Sequence, residues 1–210
     1  MKKLFISFYF LLISLALFSR ELAPAPDFLA ADDIAAKYRK LDIDPVVLSV
    51  PENIKNGLNS DPEKYLVSLT EYLIKGSDDD YLKIKRIHDW ITDNISYDTD
   101  LFCGIGKGSR NTYDIVKLKR TTCGGFSALL KEMATIAGIE CITVSGISRN
   151  YITSKNEASG HAWNAVRIDN KWYIVDSTAD GRNGYRNGAF GKKGKVLVAI
   201  PFYQTGSQTS

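Results

Sequence analysis

Apolar positions change their spacing along this chain, and each change predicts a different kind of element. Leu4 to Phe18 is an almost unbroken apolar run. From residue 60 the spacing becomes helical: Tyr65, Leu66, Leu69, Tyr72 and Leu73 follow Ser60-Asp61-Pro62-Glu63, which has the form of a capping box. Ser77-Asp78-Asp79-Asp80 starts a second helix with Ile84, Ile87, His88, Ile91 and Ile95 on one face. A third carries Phe126, Leu129, Leu130, Met133 and Ile136, with Gly138 as its stop, so Cys123 falls at or near a helix N-terminus. Beyond it Cys141-Ile142-Thr143-Val144 reads as a buried strand. Gly160 to Ile168 and Lys171 to Asp176 read as a hairpin turned by Asp169-Asn170.

That turn sets a register. Ile168 faces Lys171, Trp163 lies opposite Asp176 and His161 opposite Thr178, which makes His161 and Asp176 diagonal neighbours on one face, about 7 Å apart at the backbone. A slip of one residue would send one of them to the other face.

Lys2-Lys3 before Leu4 to Phe18 has the form of a secretory signal, and the run is shorter than the roughly 20 residues a spanning helix needs. Residues 1–19 are therefore expected to be an export signal, with an uncleaved anchor as the alternative; Leu17-Phe18-Ser19 is an acceptable cleavage motif, whereas Ala23-Pro24-Ala25 is followed by Pro26, which hinders processing. No cysteine follows the run, which argues against a lipid anchor. Residues 20–59, with Pro24, Pro26, Pro45 and Pro51, are expected to form an N-terminal extension: a linker, a short helix and an extended piece. At 210 residues and 44% apolar content the chain suits one well-buried domain, placed at 60–200, with a polar tail at 201–210.

Without Lys2 and Lys3 the chain carries 25 basic and 24 acidic residues, a balance that implies no nucleic-acid partner. Arg182, Arg186, Lys192, Lys193 and Lys195 gather in a glycine-rich stretch. It is expected to be a solvated flexible loop, with an anionic envelope polymer or surface as the partner that residues 182–195 could attract. No metal-ligand cluster is visible. Three cysteines is an odd count for an exported chain. Cys103 and Cys141 could pair, but nothing in the sequence brings them together, and unpaired thiols are the expected state.

Cys123, His161 and Asp176 are the candidate nucleophile, base and orienting acid of a thiol acyl-transfer site. A helix N-terminus favours thiolate over thiol. An imidazole can take the thiol proton and later protonate a leaving group, and a carboxylate fixes its tautomer. Gly124 and Gly125 keep side chains away from the sulfur and offer N–H groups to a developing oxyanion. The plainer reading of Cys123 is a small buried thiol at a helix start. His88 is the one rival base, but its place on an apolar helix face suits a structural imidazole, and its neighbour Asp89 should point elsewhere. Trp90, Trp163 and Trp172 read first as core or cleft wall, with Trp163 and Trp172 on the His161 face and able to screen it from water.

At several of these segments the chain resembles the transglutaminase-like superfamily, and more particularly its kyphoscoliosis-peptidase-like branch. The segments are Ile87-His88-Asp89-Trp90-Ile91 with Ile95-Ser96-Tyr97-Asp98, Cys123-Gly124-Gly125-Phe126-Ser127, Gly138 through Gly146, His161-Ala162-Trp163-Asn164, and Trp172 through Thr178. They span about residues 80 to 180. The resemblance implies a papain-like α+β core with the nucleophile Cys123 at a helix N-terminus, packed on an antiparallel sheet carrying His161 and Asp176, and no metal or organic cofactor. It also suggests Tyr97 as a hydroxyl donor to the oxyanion, and it departs from the family pattern after Asp180, where an edge strand or cleft wall could be missing or replaced. The function expected is an exported cysteine peptidase or amidase acting on peptide or protein amides, with hydrolysis favoured over crosslinking. The alternatives are a non-catalytic envelope interaction module and a small-molecule acyltransferase.

Overall fold

The computed structural model describes residues 43–148, 159–181 and 183–192. The expected signal at 1–19 with its cleavage site, the expected linker up to residue 42 and the tail at 201–210 lie outside them. No helix among the described residues is long and apolar enough to cross a membrane.

Helices dominate the first half. Two single turns, α1 (Pro45–Leu48) and α2 (Glu52–Lys55), lead through a 3-10 turn into α3 (Pro62–Ile74) and α4 (Asp80–Asn94). The cap of α3 is Asp61 rather than Ser60: its carboxylate accepts from the Lys64 N–H at 3.0 Å, and Pro62 follows at the first helical position. A carboxylate is a strong cap, and Pro62 needs no donor there. Asp79 caps α4 through the N–H groups of Tyr81 and Leu82. The apolar face Ile84, Ile87, Ile91 and Ile95 is fully buried, and Leu66, Leu69 and Leu73 of α3 join the same core. Val47 and Val50 are buried in it as well, so residues 43–59 pack onto α3 and α4.

After α4 the chain forms β1 (Ser96–Asp98), α5 (Thr99–Phe102), α6 (Thr112–Leu118) and β2 (Arg120–Thr121), then α7 (Cys123–Ile136). Gly138 ends α7 with a φ of 75°, a conformation that glycine adopts freely. The strands β3 (Glu140–Ser148), β4 (Ser159–Ile168) and β5 (Lys171–Val175) make an antiparallel sheet in that order, and α7 packs on β3 and β4. Tyr81 of α4 and Tyr173 of β5 meet edge to face, their hydroxyls 2.6 Å apart.

The hairpin turn is where the sequence places it. Asp169 and Asn170 both have positive φ, and Ile168 pairs with Lys171. The ladder stops at Asn164 opposite Val175, however. Asp176 does not lie opposite Trp163, nor Thr178 opposite His161, because Asp176 leaves the sheet to cap the short helix α8 (Ser177–Asp180).

The basic stretch is not a flexible loop where it is described. Asn183–Arg186 (β6) and Ala189–Lys192 (β7) form a hairpin turned at Asn187-Gly188. Both N–H groups of that turn donate to the buried Asp100 carboxylate, at 2.8 and 2.9 Å. β6 pairs in parallel with β1, completing a second sheet of order β2-β1-β6-β7. After Asp180, where an edge strand or cleft wall could be missing or replaced, the chain runs into this hairpin. Arg182, Lys193 and Lys195 lie outside the described residues.

Candidate active site

Cys123 is the first residue of α7, reached from β2 through the extended Thr122. Its thiol is half-buried. A hydrogen bond with His161 draws the thiol pKa below its ordinary value, and bonds from the Ala162 and Gly124 backbone N–H groups help, against the opposing effect of burial. His161 Nε2 lies 2.7 Å from Asp176 Oδ2, which leaves Nδ1 as the ring nitrogen for Cys123. Burial disfavours the imidazolium, but the bonds to Asp176 and Cys123 outweigh it and raise the His161 pKa to about 9. Thiolate and imidazolium therefore favour one another.

Asp176 reaches His161 from a helix cap, not from a neighbouring strand position. Its Oδ1 accepts from the N–H groups of Thr178 and Ala179 at 3.1 and 3.0 Å, leaving Oδ2 to the imidazole. One oxygen is thus held by the backbone while the other orients the base.

The helix bearing Cys123 is stitched to the strand bearing His161 by Ser127 and Asn164. Ser127 Oγ donates to the Trp163 carbonyl at 3.1 Å, and the fully buried Asn164 donates through Nδ2 to the Ser127 carbonyl at 3.0 Å. Neither residue is given a role by the sequence, and the available signal is a single polar side chain set among apolar neighbours on each element.

The two glycines after Cys123 differ in use. A Cβ on Gly124 would meet nothing within 4 Å, so its Cα faces open space. A Cβ on Gly125 would overlap the Thr121 side chain, so Gly125 serves the packing of α7 against β2 rather than access to the sulfur. Tyr97 lies on β1 and is half-buried; burial, with the charge of Cys123 adding, pushes its hydroxyl up and keeps it protonated. The Trp163 ring is 5.7 Å from that of His161, and its buried Nε1 has no hydrogen-bond partner among the described residues. Gly146, paired with His161 on β3, makes room for this indole, since a Cβ there would come within 2.7 Å of it. Trp172 does not screen the pair: it sits opposite Arg167, roughly 20 Å along β4 from His161.

His88 is buried as expected of a structural imidazole, but Asp89 does not point elsewhere. His88 Nε2 lies 3.0 Å from Asp180 Oδ2, and Nδ1 lies 3.5 Å from Asp89 Oδ1. Cys103 is exposed and Cys141 buried, and all three thiols are free. Among the described residues no three His, Cys, Asp or Glu side chains gather as a metal site.

The sequence profile of the Transglutaminase-like superfamily matches residues 67–177. Kyphoscoliosis peptidase of Mus musculus is 30% identical over 145 residues, and that of Homo sapiens 32% over 146, covering 67% and 68% of this chain. The chain spans only 20% of either relative. Among solved structures, a protein from Cytophaga hutchinsonii provisionally classed as a cysteine protease aligns with a TM-score of 0.47 at 20% identity, over 81% of this chain and 57% of that one.

Proposed function

The chain belongs to the transglutaminase-like superfamily, and from that premise we propose that it is a cysteine-dependent acyl-transfer enzyme acting on peptide or protein amides. The observation that carries the reading is His161, which shares hydrogen bonds with Cys123 on one side and Asp176 on the other. The Cys123 thiolate attacks the amide carbonyl, and the carbon–nitrogen bond breaks as the His161 imidazolium protonates the departing amine. Water then attacks the thioester while His161 takes its proton, and the carbon–sulfur bond breaks to release a carboxylic acid. Asp176 holds the ring tautomer throughout. The Gly124 N–H and the Tyr97 hydroxyl are the donors proposed to face the oxyanion, with Trp163 as a cleft wall beside His161.

Hydrolysis is preferred to crosslinking, in keeping with the peptidase names of the relatives. Lys2-Lys3 and the apolar run behind them support export, with residues 1–19 as the signal or an anchor. The positive charge of residues 182–195 supports contact with an anionic envelope polymer or surface.

The test is the pH dependence of iodoacetamide labelling at Cys123 in the parent and in His161→Ala. Fast labelling well below the free-thiol pKa of ~8.5, lost in the variant, is the expected result. An ordinary thiol profile unchanged by the substitution would overturn the enzyme reading and leave a binding module.

A further inference from the structure

Asp180 and His88 lie outside the reacting set, yet they are joined to it by a single helical turn. α8 is four residues long, with Asp176 as its cap and Asp180 as its last residue, and its one long backbone bond runs from the Asp180 N–H to the Asp176 carbonyl at 3.2 Å. A helix of that length does not hold itself together in water, so its position must come from its surroundings. On its inner side Ser177 and Thr178 are buried. At its far end the Asp180 carboxylate meets His88 on α4 at 3.0 Å. His88 in turn belongs to a buried row of alternating charge: Lys85 Nζ is 2.5 Å from Asp89 Oδ2, which also accepts the Asp44 N–H at 3.0 Å, and Asp89 Oδ1 faces the second nitrogen of His88. Three ionisable groups brought into the core by α4, Lys85, Asp89 and His88, thus end on the turn that carries Asp176. Burying them is costly unless each is paired, which makes the pairing geometry specific.

We propose that His88 is a positioning residue: by holding Asp180 it fixes the turn that carries Asp176, and so the direction in which His161 faces Cys123. The proposal rests on the acyl-transfer reading of Cys123, His161 and Asp176. Its chemistry is orientation alone, since His88 bonds to Asp180 and Asp89 and acts on the site through α8.

The experiment is iodoacetamide labelling of Cys123 across pH, in the full chain, for the parent and for His88→Ala, His88→Gln, Asp180→Ala and Asp180→Asn, with folding checked by near-UV circular dichroism. In His88→Ala and Asp180→Ala, labelling at pH 6 should fall by about tenfold, the effect of raising the thiol pKa by one unit. His88→Gln can still donate to Asp180, and Asp180→Asn can still accept from His88, so both should stay within about threefold of the parent. Asp180→Ala leaves the His88 ring in the core and carries the test if His88→Ala fails to fold. Parent-like labelling in folded Asp180→Ala would overturn the proposal. Equal losses in His88→Gln and His88→Ala would also overturn it, since both remove the same charge and only the hydrogen bond differs. Parent labelling that ignored His161→Ala would remove the acyl-transfer reading and this proposal with it, whereas His161-dependent labelling left untouched in Asp180→Ala would remove this proposal alone.

Discussion

Ser127 and Asn164 cross-link the Cys123 helix to the His161 strand, each donating to a carbonyl on the other element. Asn164 Nδ2 lies within reach of the Ile142 carbonyl as well, at 3.4 Å, so one amide addresses α7, β3 and β4 together. Replacing Asn164 by Ala removes these donors from a fully buried position and leaves the Ser127 carbonyl short of a partner. A loss of about 2–3 kcal/mol is expected from urea unfolding. Ser127→Ala should cost about 1 kcal/mol.

Turnover should fall on the alkaline side as His161 loses its proton, near pH 9, because the leaving amine then has no acid to protonate it. Asp176→Asn removes a major cause of that raised value, so the alkaline limb should move to lower pH while the Cys123 thiol pKa rises. A pH–rate profile of kcat/KM for a peptide amide checks both shifts. An unchanged alkaline limb in Asp176→Asn would separate Asp176 from the base.

Stability carries its own pH signature from His88. Burial opposes its protonation, yet Asp180 and Asp89 raise its pKa to about 9 from about 6.5. A raised folded-state value means a contribution fully present below about pH 6.5 and lost as pH climbs through 9. On the order of 3 kcal/mol is at stake. Because His161 titrates in the same direction, urea midpoints should be compared at pH 6 and 9.5 in a His161→Ala background, where a flat response would contradict the His88 ion pairs.

Gly124 and Gly125 should respond oppositely to alanine. Gly125→Ala forces a methyl into the Thr121 side chain and should destabilise by about 1–3 kcal/mol. Gly124→Ala meets open space and should leave stability equal or improved by up to about 1 kcal/mol, since alanine is the better helix former. Its methyl should nevertheless lower kcat/KM for a peptide amide by obstructing the approach to the sulfur. Thermal melts and steady-state kinetics on the same two variants separate packing from access.

Periodicity made α3, α4 and α7 readable, because each buries one continuous apolar face. The hairpin turn was readable from Asp169-Asn170, whose side chains tolerate positive φ. What escaped was set by single polar atoms. Nothing in the spacing says that Asp176 would prefer two backbone N–H groups of α8 to another rung of the ladder. Strand β6 is Asn-Gly-Tyr-Arg, too short and polar to show a period, and it exists because β1 offers it a partner far away in the chain. The same limit hid the pairing of His88 with Asp180, two residues that only tertiary packing brings together.

The placement of β1 between β2 and β6 has a consequence for how the chain acquires its shape. Ser96 pairs with Arg120 on one side and with Asn183 on the other, so one edge of β1 is satisfied early in synthesis and the other only after nearly the whole domain exists. Closing such a long loop is slow relative to forming the helices. Until residues 183–192 arrive, β1 presents an open edge and Asp100 lacks the turn it binds. Truncation before residue 183 should therefore leave a helical, expanded form rather than a smaller native protein.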